Sequence, residues 1–377
     1  MLAYIIRRLL LMIPTLIGIM VLNFAIVQFA PGGPIEQIIA EVTGTDAGTT
    51  SRISGGSGRE TGTPGQSSTP GVAAGANSKY RGAQGLDPEF IKDLERQFGF
   101  DKPLHERFFL MMGNYLRFDF GTSYFRDETV VDLVLSKMPV SISLGLWSTL
   151  IFYMISIPLG IKKAVKDGSR FDVWTTTVLT IGFAIPSFVL AIMLVVMFAG
   201  GSYLDWFPLR GLVSEQHVGA GFTKCIASTA CIIDYLWHLV LPLTALSAGA
   251  FLGTTMLTKN SFLDQINMLY VQTARAKGLS ERRVLYGHVF RNAMLIVIAG
   301  FPGVFLSILF YGALLIEIIF SLDGLGLLGF EAAIKRDYPI MFASVYFFTL
   351  IGLVMVLVRD FTYTLVDPRI DFEGRHV

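Results

Sequence analysis

Charge is scarce in this 377-residue chain. Asp, Glu, Lys and Arg make up 16% of it, against about a quarter in ordinary soluble domains. The 30 Lys and Arg nearly balance the 29 Asp and Glu, for a net charge of +1. A balance so close to neutral gives no electrostatic case for nucleic acid. With 53% hydrophobic residues, a disordered chain is excluded as well. Histidine is sparse. His105, His217, His238, His288 and His376 fall at no ligand spacing, so no metal site is assigned. No Gly-Lys dipeptide occurs, which excludes the P-loop that wraps a nucleotide's phosphates. H-E-x-x-H and G-x-S-x-G are missing too, so an intramembrane hydrolase is unsupported. No catalytic residue and no bound cofactor is assigned.

What is abundant is apolar sequence, and it comes in blocks. Six runs are long enough to cross a hydrocarbon core, which takes roughly 20 helical residues. They are Leu9–Ala30, Pro139–Ile161, Val173–Gly200, Tyr235–Leu257, Ala293–Phe320 and Ile340–Val358. Backbone amides in lipid must bond internally, so the runs are expected as helices; a β-barrel would show shorter alternating segments. Arg7 and Arg8 precede the first run as they would a signal peptide, but the run is too long for one and is read as a retained helix. Pro186, Pro242 and Pro302 interrupt spans and are read as fixed kinks rather than hinges.

Lys and Arg set the orientation. Arg7, Arg8, the Lys162–Arg170 connection, the connection from Lys259 to Arg291 and the tail from Arg359 hold fifteen basic residues. The opposite short loops hold four: Arg210, Lys224, Lys335 and Arg336. Both termini are therefore expected in the cytoplasm.

The domain plan follows. Residues 1–30 form the first transmembrane helix and 31–138 an external segment. Residues 139–363 form a five-helix core including a cytoplasmic loop at 258–291, and 364–377 a cytoplasmic tail. Within the external segment, 23 of the 35 residues of Gly44–Ser78 are Gly, Ser, Thr or Pro, and a mobile linker is expected there. Residues 86–138 are expected to form a small helical cap. Asp87-Pro88-Glu89 marks a helix start, and a second amphipathic helix is expected over Leu104–Tyr115. Cys225 and Cys231 lie close together in the second external loop, where they are candidates for a disulfide.

The longest cytoplasmic connection carries the most information. Tyr270–Ala276 favours helix, Gly278 can end it at positive φ, and Ser280 with Glu281 can start another. Two short basic helices at an angle are expected. On the residues alone, a segment holding lipid headgroups and a rigid docking element are equally good readings.

The run Thr273-Ala274-Arg275-Ala276-Lys277-Gly278-Leu279-Ser280-Glu281, ending in His288-Val289-Phe290-Arg291-Asn292-Ala293, resembles the EAA-type loop of ABC importer permeases. It is similar to the form in dipeptide and oligopeptide permeases, and Phe207–Val213, Thr258–Asp264 and the Asp371–Arg375 tail resemble the B-type permease of microcin C-type importers. Ala30-Pro31-Gly32-Gly33-Pro34, Phe98–Leu104, Phe118–Ser123, Ile185-Pro186-Ser187-Phe188, Glu317–Gly326, Asp337-Tyr338-Pro339 and Asp367-Pro368-Arg369 agree with that resemblance. It departs at Thr273, where the generic loop has Glu, at Asp323, where many relatives have Pro, and at Val356, where relatives often have Asn.

The resemblance implies an all-α membrane protein of the type I ABC importer permease fold, with six transmembrane helices and a helical periplasmic cap. It would sit in the bacterial inner membrane and pass peptides by alternating access. It implies a second permease subunit, cytoplasmic ATPase subunits carrying ATP and Mg, and a periplasmic peptide-binding protein. Thr273, Ala274, Arg275, Ala276, Lys277, Gly278, Leu279, Ser280, Arg282 and Arg283 would meet the ATPase. Pro186, Phe188, Glu317 and Asp323 are candidates for the peptide path or gate. Glu317, the deepest acid in an apolar run, is read more readily as structural or gate-pairing than as a peptide contact. A sensor or assembly factor would have no use for such a loop. A channel would show a filter or charge ring, and a secondary transporter matching repeats; neither is visible.

Overall fold

The structure is a computed structural model that describes residues 2–29, 33–42, 88–97, 100–199, 201, 203–214, 216, 228–307 and 314–366. Gly44–Ser78, Asp87, Cys225 and the tail from 367 lie outside the described residues, so the readings placed on them do too. The order is α1 Leu2–Phe29, α2 Pro34–Val42, α3 Pro88–Gln97, α4 Leu104–Tyr115, α5 Val130–Val165, α6 Arg170–Ala184 and α7 Ser187–Phe198. Then come α8 Thr229–Ile266, α9 Leu269–Ala276, α10 Glu281–Val284, α11 Phe290–Ser307, α12 Leu314–Ile319, α13 Leu325–Lys335 and α14 Tyr338–Val366. Among the described residues no strand forms; one antiparallel bridge joins Thr122 and Thr129.

Five helices are long and apolar enough to cross a membrane, and α6 with α7 makes a sixth span if the two count as one. The helices outrun the apolar blocks that announced them. α5 has 36 residues, or about 54 Å at 1.5 Å per residue, and starts nine residues before Pro139. Its start is set by polar chemistry: Thr129 Oγ1 accepts the Asp132 N–H at 3.1 Å and donates to the Asp132 carboxylate at 2.7 Å. That is a capping arrangement no apolarity count would find.

The third span differs from expectation. In place of one kinked helix over Val173–Gly200, α6 and α7 meet at 90°. Pro186 lacks an N–H and pushes the preceding residue out of the helical region. Ile185 is accordingly extended, at φ −87° and ψ 117°. Pro139, Pro158, Pro242 and Pro302 all sit inside unbroken helices. The fifth span is described as α11 and α12, with residues 308–313 between them outside the described set.

The chain divides into two compact units. The first comprises Met1–Ile13, Lys137–Leu327 and Phe348–Val377. α5 and α8 approach closely in it at Gly160, where a Cβ would lie 2.7 Å from Thr258 Cβ and 2.8 Å from the Thr255 carbonyl oxygen. Small residues are what let helices in lipid pack this tightly. Near the chain ends, Arg8 pairs with Asp360 and Tyr4 donates to the same carboxylate at 2.9 Å. The second unit comprises Pro14–Ser136 and Leu328–Phe347. Its centre is aromatic: Tyr115, Phe120, Tyr346 and Phe347 pack ring against ring, as do Phe24, Phe108 and Phe342. Buried Asp337 accepts from the Ser123 hydroxyl and from the Tyr124 N–H at 3.3 Å. Arg126 pairs with Glu331 at 2.6 Å.

Candidate functional site

The basic loop folds as a rigid turn on an apolar footing. α9 ends at Ala276, and Gly278 takes φ +78°. The Gly278 N–H donates to the Arg275 carbonyl at 2.9 Å and the Leu279 N–H to the Ala274 carbonyl at 3.3 Å. These are the paired bonds of a Schellman turn, and they satisfy carbonyls a helix end would otherwise leave open. Ser280 is extended, but its side chain makes no capping bond, so α10 begins on backbone geometry alone. Five residues of π-type turning, Leu285–Val289, and then α11 continue from it.

The footing is one hydrophobic cluster. Val271 and Ala274 of α9 and Val284 of α10 are buried against Ile161 and Ala164 of α5 and Phe262 of α8, with Leu279 packed beside them. Thr273, Arg275, Ala276, Lys277, Gly278, Ser280, Arg282 and Arg283 point outward. The arrangement is thus a knob with a fixed base and a basic outer face. Arg275 holds Glu281 across the turn with two bonds, 2.8 and 3.1 Å, a role beyond the helix start that the sequence assigns to Glu281. Exposed apolar side chains flank the basic ones: Met268, Leu269 at 79% exposure, and Tyr286. Sequence reasoning did not single these out. Their signal was an apolar residue outside any span, beside charges.

Glu317 belongs to a second constellation. It is fully buried and faces the start of α13. Its carboxylate accepts from the Leu327 N–H at 2.7 Å and from the Ser141 hydroxyl at 3.2 Å, and the Gly326 N–H also bonds it. Ser141 in turn accepts the Leu325 N–H at 2.8 Å. A carboxylate and a hydroxyl thus satisfy the donors that the first turn of α13 leaves open, where negative charge is favoured. The two glycines of this stretch have a steric reason. A Cβ at Gly324 would lie 2.2 Å from Glu317 Oε1, and one at Gly326 would lie 3.1 Å from Oε2. Asp323, four-tenths shielded, pairs with Lys137 of α5. Ser141 was missed because it lies 176 residues before Glu317 in sequence.

Pro186 and Phe188 sit at the α6–α7 break, and Phe188 is exposed. α7 packs against α12, and Ala191 of α7 shares a buried cluster with Ile316 and Phe320. The structure therefore brings α7, beyond the break, and the Glu317 helix into one cluster. The knob rests on a separate one. Cys231 is buried in α8; Cys225, its suggested partner, is outside the described residues. No group of three or more His, Cys, Asp or Glu that could hold a metal occurs among the described residues.

Comparison with known proteins places these features in a family. Residues 156–372 match the family described as binding-protein-dependent transport system inner membrane component. The chain is 60% identical over 375 residues, the full length of both, to the peptidoglycan transport system permease protein YejB of Agrobacterium fabrum. It is 57% identical to the inner membrane ABC transporter permease protein YejB of Escherichia coli O157:H7, over 99% of this chain and all of that one. It is 32% identical to the oligopeptide transport system permease protein AppB of Bacillus subtilis, again over 99% of this chain and all of that one.

Proposed function

Because the chain belongs to the family of binding-protein-dependent transport system inner membrane components, and is the permease component of an ABC importer related to peptide permeases, we propose that it passes peptides inward by alternating access. In this reading it pairs with a second, non-identical permease and receives peptide from a periplasmic binding protein. It is moved by cytoplasmic ATPase subunits that bind ATP and Mg. Both termini face the cytoplasm, as the imbalance of basic residues favours.

The observation that carries the reading is the knob. A turn fixed by a Schellman motif and seated on α5 and α8 transmits a push rather than absorbing it. Its basic residues Lys277, Arg282 and Arg283, with apolar Leu269 beside them, form the face that would meet the ATPase. Pro186, Phe188 and the Glu317 loop would lie along the peptide path, with Glu317 acting through the shape of the loop rather than by touching peptide. Relatives named for peptidoglycan and for oligopeptide transport support the peptide class. The test is Gly278→Trp in the complete transporter. Peptide uptake should be lost while the binding protein still docks. Full ATP-dependent uptake by that variant would defeat the coupling role.

A further inference from the structure

Four charged groups meet where α5, α6 and α8 come together. Lys163 of α5 is fully buried. Its ammonium donates to the Asp172 carbonyl at 2.7 Å, to the Thr175 hydroxyl at 2.8 Å and to the Thr176 hydroxyl at 2.7 Å, and it lies 2.8 Å from Asp172 Oδ1. The other carboxylate oxygen of Asp172 accepts from Lys259 of α8 at 2.7 Å and from the Gly168 N–H at 3.2 Å. Lys259 also reaches Asp167 at 2.7 Å. One carboxylate thereby ties two helices and a turn to the first turn of its own helix, α6. Ser169 caps that helix by accepting the Asp172 N–H at 3.3 Å. The sequence reading counts these lysines only as cytoplasmic positive charge and puts Lys259 in a loop; it lies inside α8.

Cohesion alone does not ask for such a cluster. Apolar side chains of the same volume would hold three helices together without the cost of desolvating ions. What charges add is register: a saturated ammonium between fixed oxygens has one geometry, whereas an apolar seam can slide. The position of the cluster says what the register serves. Ile161 and Ala164, on either side of Lys163, and Phe262, one turn beyond Lys259, are part of the apolar footing under the Gly278 turn. At the other end α6 runs to Ala184 and the 90° break. Beside that break Gly182 faces the Ala248 carbonyl of α8, 3.4 Å from where a Cβ would be.

We propose that Asp172, clasped by Lys163 and Lys259, is a positioning residue that makes α5, α6 and α8 one lever. A displacement of the Gly278 turn then arrives at the Ile185–Pro186 break instead of being lost as sliding of α6 along α8. This rests on the reading of the Gly278 turn as the ATPase contact.

The test uses the complete transporter in vesicles, with spin labels at Thr177 of α6, Leu257 of α8 and Val196 of α7, all exposed. In the otherwise unaltered complex, the 177–257 distance should be the same without nucleotide and with ATP trapped, and the 177–196 distance should change. Lys259→Met keeps the side-chain length and the Lys163–Asp172 pair, so the bundle should assemble. It should keep ATP hydrolysis but deliver about tenfold less peptide per ATP, the size of an ordinary coupling energy, with a 177–257 distance that now varies. Lys259→Arg should restore the ratio. An unchanged ratio in Lys259→Met, an equal defect in Lys259→Arg, or a 177–257 distance that moves in the unaltered complex would each overturn the lever. An unaltered complex whose ATP hydrolysis ignores binding protein and peptide would instead overturn the transport reading beneath it.

Discussion

Gly324→Ala tests the account of the Glu317 loop most sharply. Gly324 has no positive φ, so alanine meets no backbone penalty there and any cost is one of space. The added Cβ would lie 2.2 Å from Glu317 Oε1, 2.4 Å from Cδ and 2.9 Å from Oε2, distances at which something must move. The carboxylate is fully buried, so moving it breaks its bonds to Leu327 and Ser141. Hydrogen bonds to charged groups are worth about 1.5–3 kcal/mol each. Losing two sets the expected cost at ~3–6 kcal/mol. Gly329→Ala, four residues into the same helix with nothing within 4 Å, is the control; it should gain up to ~1 kcal/mol from helix propensity. Glu317→Ala supplies the second arm of a double-mutant cycle. Without the carboxylate the clash is gone, so Gly324→Ala should cost little more in that background. The assay is thermal unfolding of the purified complex in detergent, with peptide uptake measured alongside. Gly324→Ala as stable as Gly329→Ala would refute the steric reasoning. Additive effects in the cycle would refute the claim that Gly324 exists to make room for Glu317.

Gly160→Ala should force α5 from α8 and destabilise by about 1–3 kcal/mol, the usual cost of overpacking. Gly253→Ala, which meets open space on α8, should not, and thermal melts of the two variants side by side check this. Gly278→Ala, with positive φ but no neighbour within 4 Å, should cost only the ~1 kcal/mol of left-handed backbone, far less in uptake than Gly278→Trp. Asp337 carries a pH signature. Burial holds its pKa above the ordinary carboxylate value despite the bonds from Ser123 and Tyr124, so the folded state binds the proton more tightly than the unfolded one. Stability from this group is therefore greatest in acid and falls as pH rises from the ordinary Asp value through the raised one. Melts from pH 3.5 to 7 should show Asp337→Asn gaining on the wild-type chain as pH rises; parallel curves would sink the assignment.

The spans were legible because lipid leaves the backbone one solution, and a run of about 20 apolar residues announces it. The Gly278 turn was legible for a different reason: a Schellman motif is built within six residues, so its signal is local. What sequence hid was settled by tertiary neighbours. Five of the prolines within the described helices look alike in sequence at Pro14, Pro139, Pro158, Pro242 and Pro302, yet each stays inside a helix. Pro186 ends one, with α7 redirected onto α12. Glu317 stood out as an acid in an apolar run, but its reason lay with Ser141, far away in sequence, and with two glycines whose missing Cβ atoms make its seat. Leu328–Phe347 groups with the first third of the chain through pairs such as Ser123 with Asp337, which no linear division would draw.

Under the proposed lever, the charged clusters within the bundle lie where motion is transmitted, not where it occurs. Asp172 between its two lysines and Glu317 within its ring of donors are each held by several partners, and a buried charge so held fixes its neighbours, because any shift leaves an ion unpaired in a poor solvent. The Ile185–Pro186 break is the opposite case. By geometry the last carbonyls of α6 have no intrahelical partner, and Pro186 brings no N–H to meet them. Phe188 and its neighbours Ala184 and Val189 are exposed. Irregular backbone at membrane depth persists only against protein or water, and in the proposed transport reading either a second permease or the peptide path would cover this break. In the proposed reading, converting a cytoplasmic push into an opening takes both kinds of segment in series. Here they follow one another along a single helix: clasped at Asp172, free at Ala184.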